Sequence, residues 1–148
     1  REFNVGAWRQ QVAWVGQDPV MVPGTLAENV RLAHPAATDG EVAAALESVG
    51  LGGLAAALPD GADTVIGEGG RALSAGQSRR VALARAFCQP AGLVLLDEHT
   101  AALDSESEAL VVGAVRKLAT NRTVVIVAHR PALVELADSV VDLGGVRV

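Results

Sequence analysis

The sequence predicts an α/β fold with a mostly parallel sheet, and three observations support that class. A short apolar run, Leu93–Leu96, ends abruptly in two carboxylates, Asp97 and Glu98. A second apolar run, 123–128, ends in the same way at His129. Short apolar runs bounded by glycine, turn residues or charge are typical of buried strands in parallel sheets. Capped helical patterns separate the runs, and this alternation indicates an α/β domain.

The composition is that of one folded domain. Half of the 148 residues are apolar, but no apolar run reaches the ~18 residues of a membrane span. Lys and Arg number 12 against 17 Asp and Glu, with no basic stripe, so no nucleic-acid partner is expected. Cys88 lies in an apolar helical pattern, which favours a small core residue over a reactive thiol. Because the chain begins at Arg1 without an initiator Met or signal peptide, we expect a soluble fragment.

The first elements are a strand and a capped helix. Val12–Gln17 is a β-rich run that ends in a polar side chain, and Asp18-Pro19 follows as a turn signal. Gln17 is either an ordinary loop residue or an amide that this strand end carries into a site. Thr25 and Glu28 form a capping-box pattern, which predicts a short helix through Leu32.

Two further helices and a loop are predicted next. The capping-box pattern of Thr38 and Glu41 opens a helix that Gly50 ends, and Leu51–Leu58 has the pattern of another short helix. Asp63–Arg71 is rich in glycine but lacks the Gly-x-x-x-x-Gly-Lys-[Ser/Thr] pattern of a phosphate cradle. A surface loop is therefore the better prediction for it.

A third capping-box pattern, Ser74 with Gln77, opens a helix that extends to Phe87. Beside the cap lie the small residues Ala75 and Gly76, so the unpaired N–H groups of the first turn face an open space. Such a helix start suits an anion such as a γ-phosphate, although many capped helices bind nothing.

The remaining elements follow the strand that ends at Asp97. Asp104 is placed to cap an amphipathic helix, and the second buried strand, Thr123–Ala128, comes after it. Pro131 fits the first turn of a short helix to Ala137, and 140–143 is predicted as a last strand.

Two strand ends carry the candidate chemistry. Because parallel strands end at one edge of the sheet, Asp97, Glu98 and His129 are expected at the edge where open α/β folds bind ligands. In phosphoryl transfer the first acid can hold Mg²⁺ and the second can orient the attacking water. The alternatives are a plain buried strand before an acidic helix start, and a histidine that only caps its strand.

Together these motifs resemble the nucleotide-binding domain of an ABC transporter, and the match covers nearly the whole chain in the family's order. Gln17 is similar to the Q-loop glutamine, which touches Mg²⁺ and the attacking water and couples to the membrane domain. Leu73–Gln77 resembles the signature LSGGQ. The resemblance implies that the ATP-binding residues include Gln17, Ser74, Ala75, Gly76 and Gln77.

The second half carries the rest of the resemblance. Leu93–Asp97 is similar to the Walker B strand, whose acid binds the metal, and Glu98 takes the place of the catalytic glutamate. Ala102-Leu103-Asp104 resembles the D-loop, which adds Asp104 to the ATP-binding residues. His129 is similar to the switch histidine, which contacts the γ-phosphate and belongs with Glu98 to the catalytic residues.

The resemblance implies a partial P-loop NTPase (ABC ATPase) fold. A helical signature subdomain would span about 18–90, and the Walker B to H-loop part of the core would span about 91–148. It implies ATP and Mg²⁺ as cofactors and a second ABC ATP-binding domain as a head-to-tail partner. Pro23–Val30 resembles the exporter branch, and other segments resemble the CydD-type half of the CydDC thiol exporter. Transmembrane exporter domains at the cytoplasmic face of the inner membrane are then expected as partners.

Three departures from the family limit this interpretation. No Walker A pattern occurs in the 148 residues, Ala75 replaces a glycine, and His99 replaces the usual Pro or Ala. The chain alone is therefore expected to be an incompetent ATPase. The alternative function is a non-catalytic module that supplies a signature face to a complete partner domain. An ABC ATPase of DNA repair or chromosome maintenance would need a heptad insertion or a basic face, and the sequence has neither.

Overall fold

Helices and strands alternate along the chain in the computed structural model, which describes residues 5–97 and 104–142. The helices are α1 (Val5–Gln10), α2 (Leu26–Arg31), α3 (Asp39–Ser48), α4 (Gly52–Ala57), α5 (Ala75–Cys88), α6 (Ser105–Ala119) and α7 (Pro131–Val134). The strands are β1 (Val12–Val15), β2 (Gly24–Thr25), β3 (Val65–Ile66), β4 (Leu93–Asp97) and β5 (Thr123–Val127). The predicted α/β class is confirmed.

The central sheet has three parallel strands in the order β1-β4-β5. Val15 of β1 pairs with Leu96 of β4, and Asp97 at the end of β4 pairs with Val127 at the end of β5. The three strands therefore finish within one residue of each other. Polar residues placed just after them share one edge of the sheet, as the sequence predicts.

One face of this sheet is buried and the other is not. The buried face packs into a core that includes residues of α5 and α6, the helices that precede β4 and β5. Right-handed crossovers that step in one direction across a sheet place their helices on the same face. The prediction that β5 is a buried strand is therefore wrong for its outer face. Exposed apolar side chains on that face are Trp14 (70%), Val125 (51%) and Val127 (52%).

The three predicted capping boxes are all present. In each, the N-cap hydroxyl accepts from the backbone N–H three residues on, and the side chain of that later residue accepts from the N-cap N–H. The boxes pair Thr25 with Glu28, Thr38 with Glu41, and Ser74 with Gln77. These helix starts follow from local sequence alone, because every partner lies within one turn.

Gly50 ends α3 in the left-handed region, with φ +69°. A Cβ built on it would lie 2.7 Å from Leu110 Cδ2 of α6. The predicted glycine stop is therefore confirmed, and it also lets the end of α3 approach α6 closely.

We expect Gly50→Ala to lower the free energy of unfolding by about 1–2 kcal/mol, because an alanine in this backbone region is strained. Urea unfolding of the variant and the parent measures this. Gly53→Ala is the matched control: Gly53 lies inside α4 with open space around its Cα. That substitution should be neutral or stabilise by about 0.5–1 kcal/mol. Equal losses at both positions would contradict the argument.

The glycine-rich segment 63–71 is more ordered than the predicted surface loop. Val65–Ile66 form β3, which pairs antiparallel with β2, and the Ile66 side chain is fully buried. The sequence could not show this pairing, because the two strands are 40 residues apart and only two residues long.

The end of the described chain also departs from prediction. Helix α7 stops at Val134 rather than Ala137, and residues 140–142 form no strand. Val140 and Val141 are 63% and 77% exposed, so burial does not hold them in a sheet. Leu143, the last residue of the predicted strand, lies outside the described residues.

Cys88 is buried at the end of α5, as predicted for a core residue. Burial raises the pKa of its thiol, which keeps the reactive thiolate scarce at neutral pH. Among residues 5–97 and 104–142, no helix is long and apolar enough to cross a membrane.

Candidate active site

The carboxyl edge of the parallel sheet gathers three of the predicted site residues. Asp97 is the last residue of β4 and pairs with Val127 of β5. His129 follows Val127 by two residues, and Gln17 follows the end of β1 by two residues. The edge thus brings a carboxylate, an imidazole and an amide onto neighbouring strand ends.

Exposure differs among these three residues. Asp97 is half-buried, because its strand is central in the sheet, whereas Gln17 and His129 are exposed. Exposed side chains on loops that follow a rigid strand can reach a ligand placed above the edge. Glu98 and His99 lie outside the described residues, so the role of Glu98 stays a prediction.

Helix α5 carries the predicted signature at its start and ends beside strand β1. Gln89, directly after α5, donates from Nε2 to the carbonyl of Val12 at the start of β1, at 3.0 Å. The C-terminal end of α5 therefore lies at the amino edge of the sheet. Its 14 residues span about 21 Å, so the Ser74 end lies about that far from this contact.

The cap of α5 leaves its first turn accessible. The hydroxyl of Ser74 accepts from the N–H of Gln77 at 3.2 Å, and Gln77 Oε1 accepts from the N–H of Ser74 at 2.9 Å. Ala75 is exposed, so its extra methyl group points to solvent and does not disturb the capping box. The departure at Ala75 leaves the shape of the helix start intact.

Arg80 links the first part of α5 to the end of α3, and the sequence prediction did not include it. Its guanidinium donates to the carbonyls of Gly50 at 3.0 Å and Gly76 at 3.3 Å. Burial lowers the pKa of Arg80, and the nearby carboxylates of Asp104 and Glu106 oppose that shift.

Asp104 is the N-cap of α6, as predicted. Its carboxylate accepts from the N–H of Ser107 at 2.8 Å and from the Ser107 hydroxyl at 3.0 Å. These hydrogen bonds hold the pKa of Asp104 below its usual range. The observed role of Asp104 is structural, and its contact with ATP stays a prediction.

The residue after His129 links the end of β5 to α6 through an ion pair. Arg130 Nη1 donates to Glu108 Oε2 at 3.2 Å, and the Glu108 side chain is only 19% exposed. An ion pair that is partly shielded from water restrains the backbone on which His129 sits. Sequence reasoning missed this pair because its members are 22 residues apart.

The carboxyl edge of this parallel sheet carries an acid, an amide and an imidazole, at the place where open α/β folds bind ligands. The profile of the ABC transporter family matches residues 2–101, which is more than half of the chain. The chain belongs to the ABC transporter family, and its fold is that of an ABC ATPase.

Two curated relatives and one solved structure illustrate the similarity. The ATP-dependent lipid A-core flippase of Neisseria gonorrhoeae is 46% identical over 147 residues, which cover 99% of this chain and 24% of the flippase. The serine protease/ABC transporter B family protein tagA of Dictyostelium discoideum is 41% identical over 138 residues, 93% of this chain and 8% of tagA.

The solved structure is that of a bacterial Atm1-family ABC exporter with ATP bound. It has a TM-score of 0.77 and 36% sequence identity, over 90% of this chain and 23% of the exporter chain. The chain thus spans about a quarter or less of the length of these relatives.

Proposed function

We propose that this chain is the part of an ABC exporter's ATP-binding domain that runs from the Q-loop to the switch histidine. In this role it couples ATP hydrolysis to transmembrane transport. The observation that carries the proposal is the common edge of Gln17, Asp97 and His129, which lie at or just after the ends of three adjacent parallel strands. The family match and the exporter relatives support it.

Carboxylate and amide oxygens suit Mg²⁺, so the donor set of Asp97 and Gln17 fits this ion. When bound with ATP, Mg²⁺ neutralises charge on the transferring phosphate. In the proposed mechanism Glu98 orients the attacking water by accepting its hydrogen bond and then takes up the proton of that water. His129 donates a hydrogen bond to the γ-phosphate and so stabilises the charge that develops there.

The signature is proposed to act on the nucleotide of a partner domain. The open first turn at Ser74, Ala75, Gly76 and Gln77 presents N–H groups and the positive end of a 14-residue helix. A head-to-tail second ABC ATP-binding domain would place its γ-phosphate there, next to Asp104. The remaining partners are the transmembrane domains of an exporter, at the cytoplasmic face of the inner membrane.

The cargo of the exporter has two candidates. The CydD-type motifs favour a small thiol compound, whereas the 46% identity to a lipid A-core flippase favours a lipid. Both assignments are proposals about membrane domains whose helices would select the cargo.

ATP turnover by residues 1–148 alone, compared with the complete polypeptide that carries them, tests the proposal. We expect hydrolysis only from the complete polypeptide, because no Gly-x-x-x-x-Gly-Lys-[Ser/Thr] cradle for the phosphates occurs in the 148 residues. Turnover by the isolated chain would refute that dependence. A complete polypeptide that binds ATP but never hydrolyses it would refute the ATPase assignment.

A separate experiment tests the alternative, in which the chain is a non-catalytic module that supplies a signature face to a complete partner domain. Residues 1–148 are added to a separate ABC domain that carries its own phosphate cradle. A rise in hydrolysis that Ser74→Arg abolishes would support the module, because the bulky cation fills the open helix start. No stimulation would count against it.

A further inference from the structure

The buried side chain of Asn29 hydrogen-bonds to the backbone of one short stretch, between Val22 and Thr25. Asn29 lies in α2 with no exposed surface. Its Nδ2 donates to the carbonyls of Val22 at 2.9 Å and Thr25 at 3.1 Å, and its Oδ1 accepts from the N–H of Val22 at 3.0 Å. The amide thus pairs with both polar backbone groups of Val22, as a neighbouring strand would.

Arg85 of α5 reaches the same stretch from the other side. Its Nε donates to the carbonyl of Asn29 at 2.8 Å, and its Nη2 donates to the carbonyl of Val20 at 2.9 Å. Nη2 also lies 3.3 Å from Asn29 Oδ1. Burial lowers the pKa of Arg85, because removing the charged guanidinium from water costs desolvation free energy.

These bonds join two segments that matter to the proposed function. Residues 20–22 belong to the irregular stretch between Gln17 and β2, and a stretch without regular structure ordinarily opens easily. Here three hydrogen bonds from the side chains of Asn29 and Arg85 hold its backbone, while the side chain of Val20 stays 72% exposed. Two further bonds join Arg85 to Asn29. Helix α5, which carries Arg85, begins at the signature residue Ser74.

We infer that Asn29 and Arg85 form a polar clamp that makes residues 20–22 move as one body with α5. A push on the exposed stretch after Gln17 is then transmitted to the signature end of the helix, about 15 Å from Arg85 along its axis. This regulatory role rests on the proposed function. The clamp itself, as a mechanical link within the described residues, does not.

Amide hydrogen exchange of the complete polypeptide tests the link. Arg85→Met removes the donors but keeps the apolar stem, so exchange within residues 20–22 should accelerate about tenfold or more. Gln89→Met is the matched control. It also removes a donor from the C-terminal end of α5, but that donor bonds Val12 and not the clamped stretch. Exchange of residues 20–22 should stay at the parent rate in the control.

The second readout is the coupling of ATP hydrolysis to cargo. In Arg85→Met, basal hydrolysis should persist, while its stimulation by cargo or by the membrane domains should be lost. Gln89→Met should keep the stimulation. If the parent shows no hydrolysis at all, the proposed function fails, but the exchange experiment still decides whether the clamp exists.

Two conservative variants guard against a folding defect in Arg85→Met. Arg85→Lys retains the charge but cannot reach both carbonyls at once, and Asn29→Asp keeps the acceptor while losing the donor. Both should give intermediate exchange rates in residues 20–22. Parent-like exchange in all three variants, or equal acceleration in Gln89→Met, would overturn the inference.

Discussion

Glu98→Gln should lower ATP turnover of the complete polypeptide by about 10²–10⁴-fold, because the neutral amide no longer accepts a proton from the attacking water. ATP binding should persist, since Glu98 is proposed to act on water and not on the nucleotide. Turnover at saturating Mg·ATP measures the first effect. Retention of labelled ATP by the same variant measures the second.

The matched control for Glu98 is Glu47→Gln, which makes the same chemical change at an exposed position of α3. Its turnover should equal that of the parent. If Glu98→Gln retained more than about a tenth of parental turnover, an acid other than Glu98 would have to activate the water. A loss of ATP binding in Glu98→Gln would instead point to a structural role.

The sequence predicted best where structure depends on neighbours along the chain. The three capping boxes at Thr25, Thr38 and Ser74 are all present, because each is completed within one helical turn. The strand end at Asp97 was also predictable, since an apolar run interrupted by charge marks the point where burial stops.

Prediction was weaker where structure depends on distant partners. The pairing of Val65–Ile66 with β2 was missed because two residues carry no recognisable period. The open face of β5 was missed for a different reason. Strands of a parallel sheet usually carry apolar residues on both faces. Their sequence therefore does not show whether a second layer of helices covers the outer face.

That open face bears on the isolated chain. Trp14, Val125 and Val127 lie in one row or in adjacent rows of the sheet, and all three are more than half exposed. Exposed apolar rows of this kind favour association with other surfaces. Limited stability of residues 1–148 by themselves is therefore expected, in line with the proposed need for the complete polypeptide.

The candidate site shows the same division between local and distant signals. Gln17, Asp97 and His129 were predictable as a group, because parallel strands deliver their ends to one edge. Arg85 and Arg130 were not, because each bonds a partner far along the chain. A signal did exist for Arg85: a lone cation within the apolar helical run 81–88 indicates a buried, bonded guanidinium.

His129→Ala should lower turnover about 10²–10³-fold, because it removes a hydrogen-bond donor aimed at charge that develops on the γ-phosphate. The loss should appear in the rate at saturating ATP more than in ATP affinity, since the interaction strengthens as the transition state forms. Steady-state kinetics of the complete polypeptide separate the two. His129→Gln, which restores a donor on a side chain of different reach, should recover part of the loss.

His34→Ala is the control, because it also removes an imidazole. His34 lies in the loop after α2 and does not follow a strand of the parallel sheet. This variant should turn over ATP at the parental rate. Arg130→Met provides a further comparison: it breaks the ion pair with Glu108 but keeps the imidazole. A rate between those of the parent and His129→Ala is expected, since the donor remains but its backbone is less restrained. Full activity in His129→Ala would show that the imidazole takes no part in hydrolysis. The proposed mechanism would then depend on Asp97 and Glu98 alone.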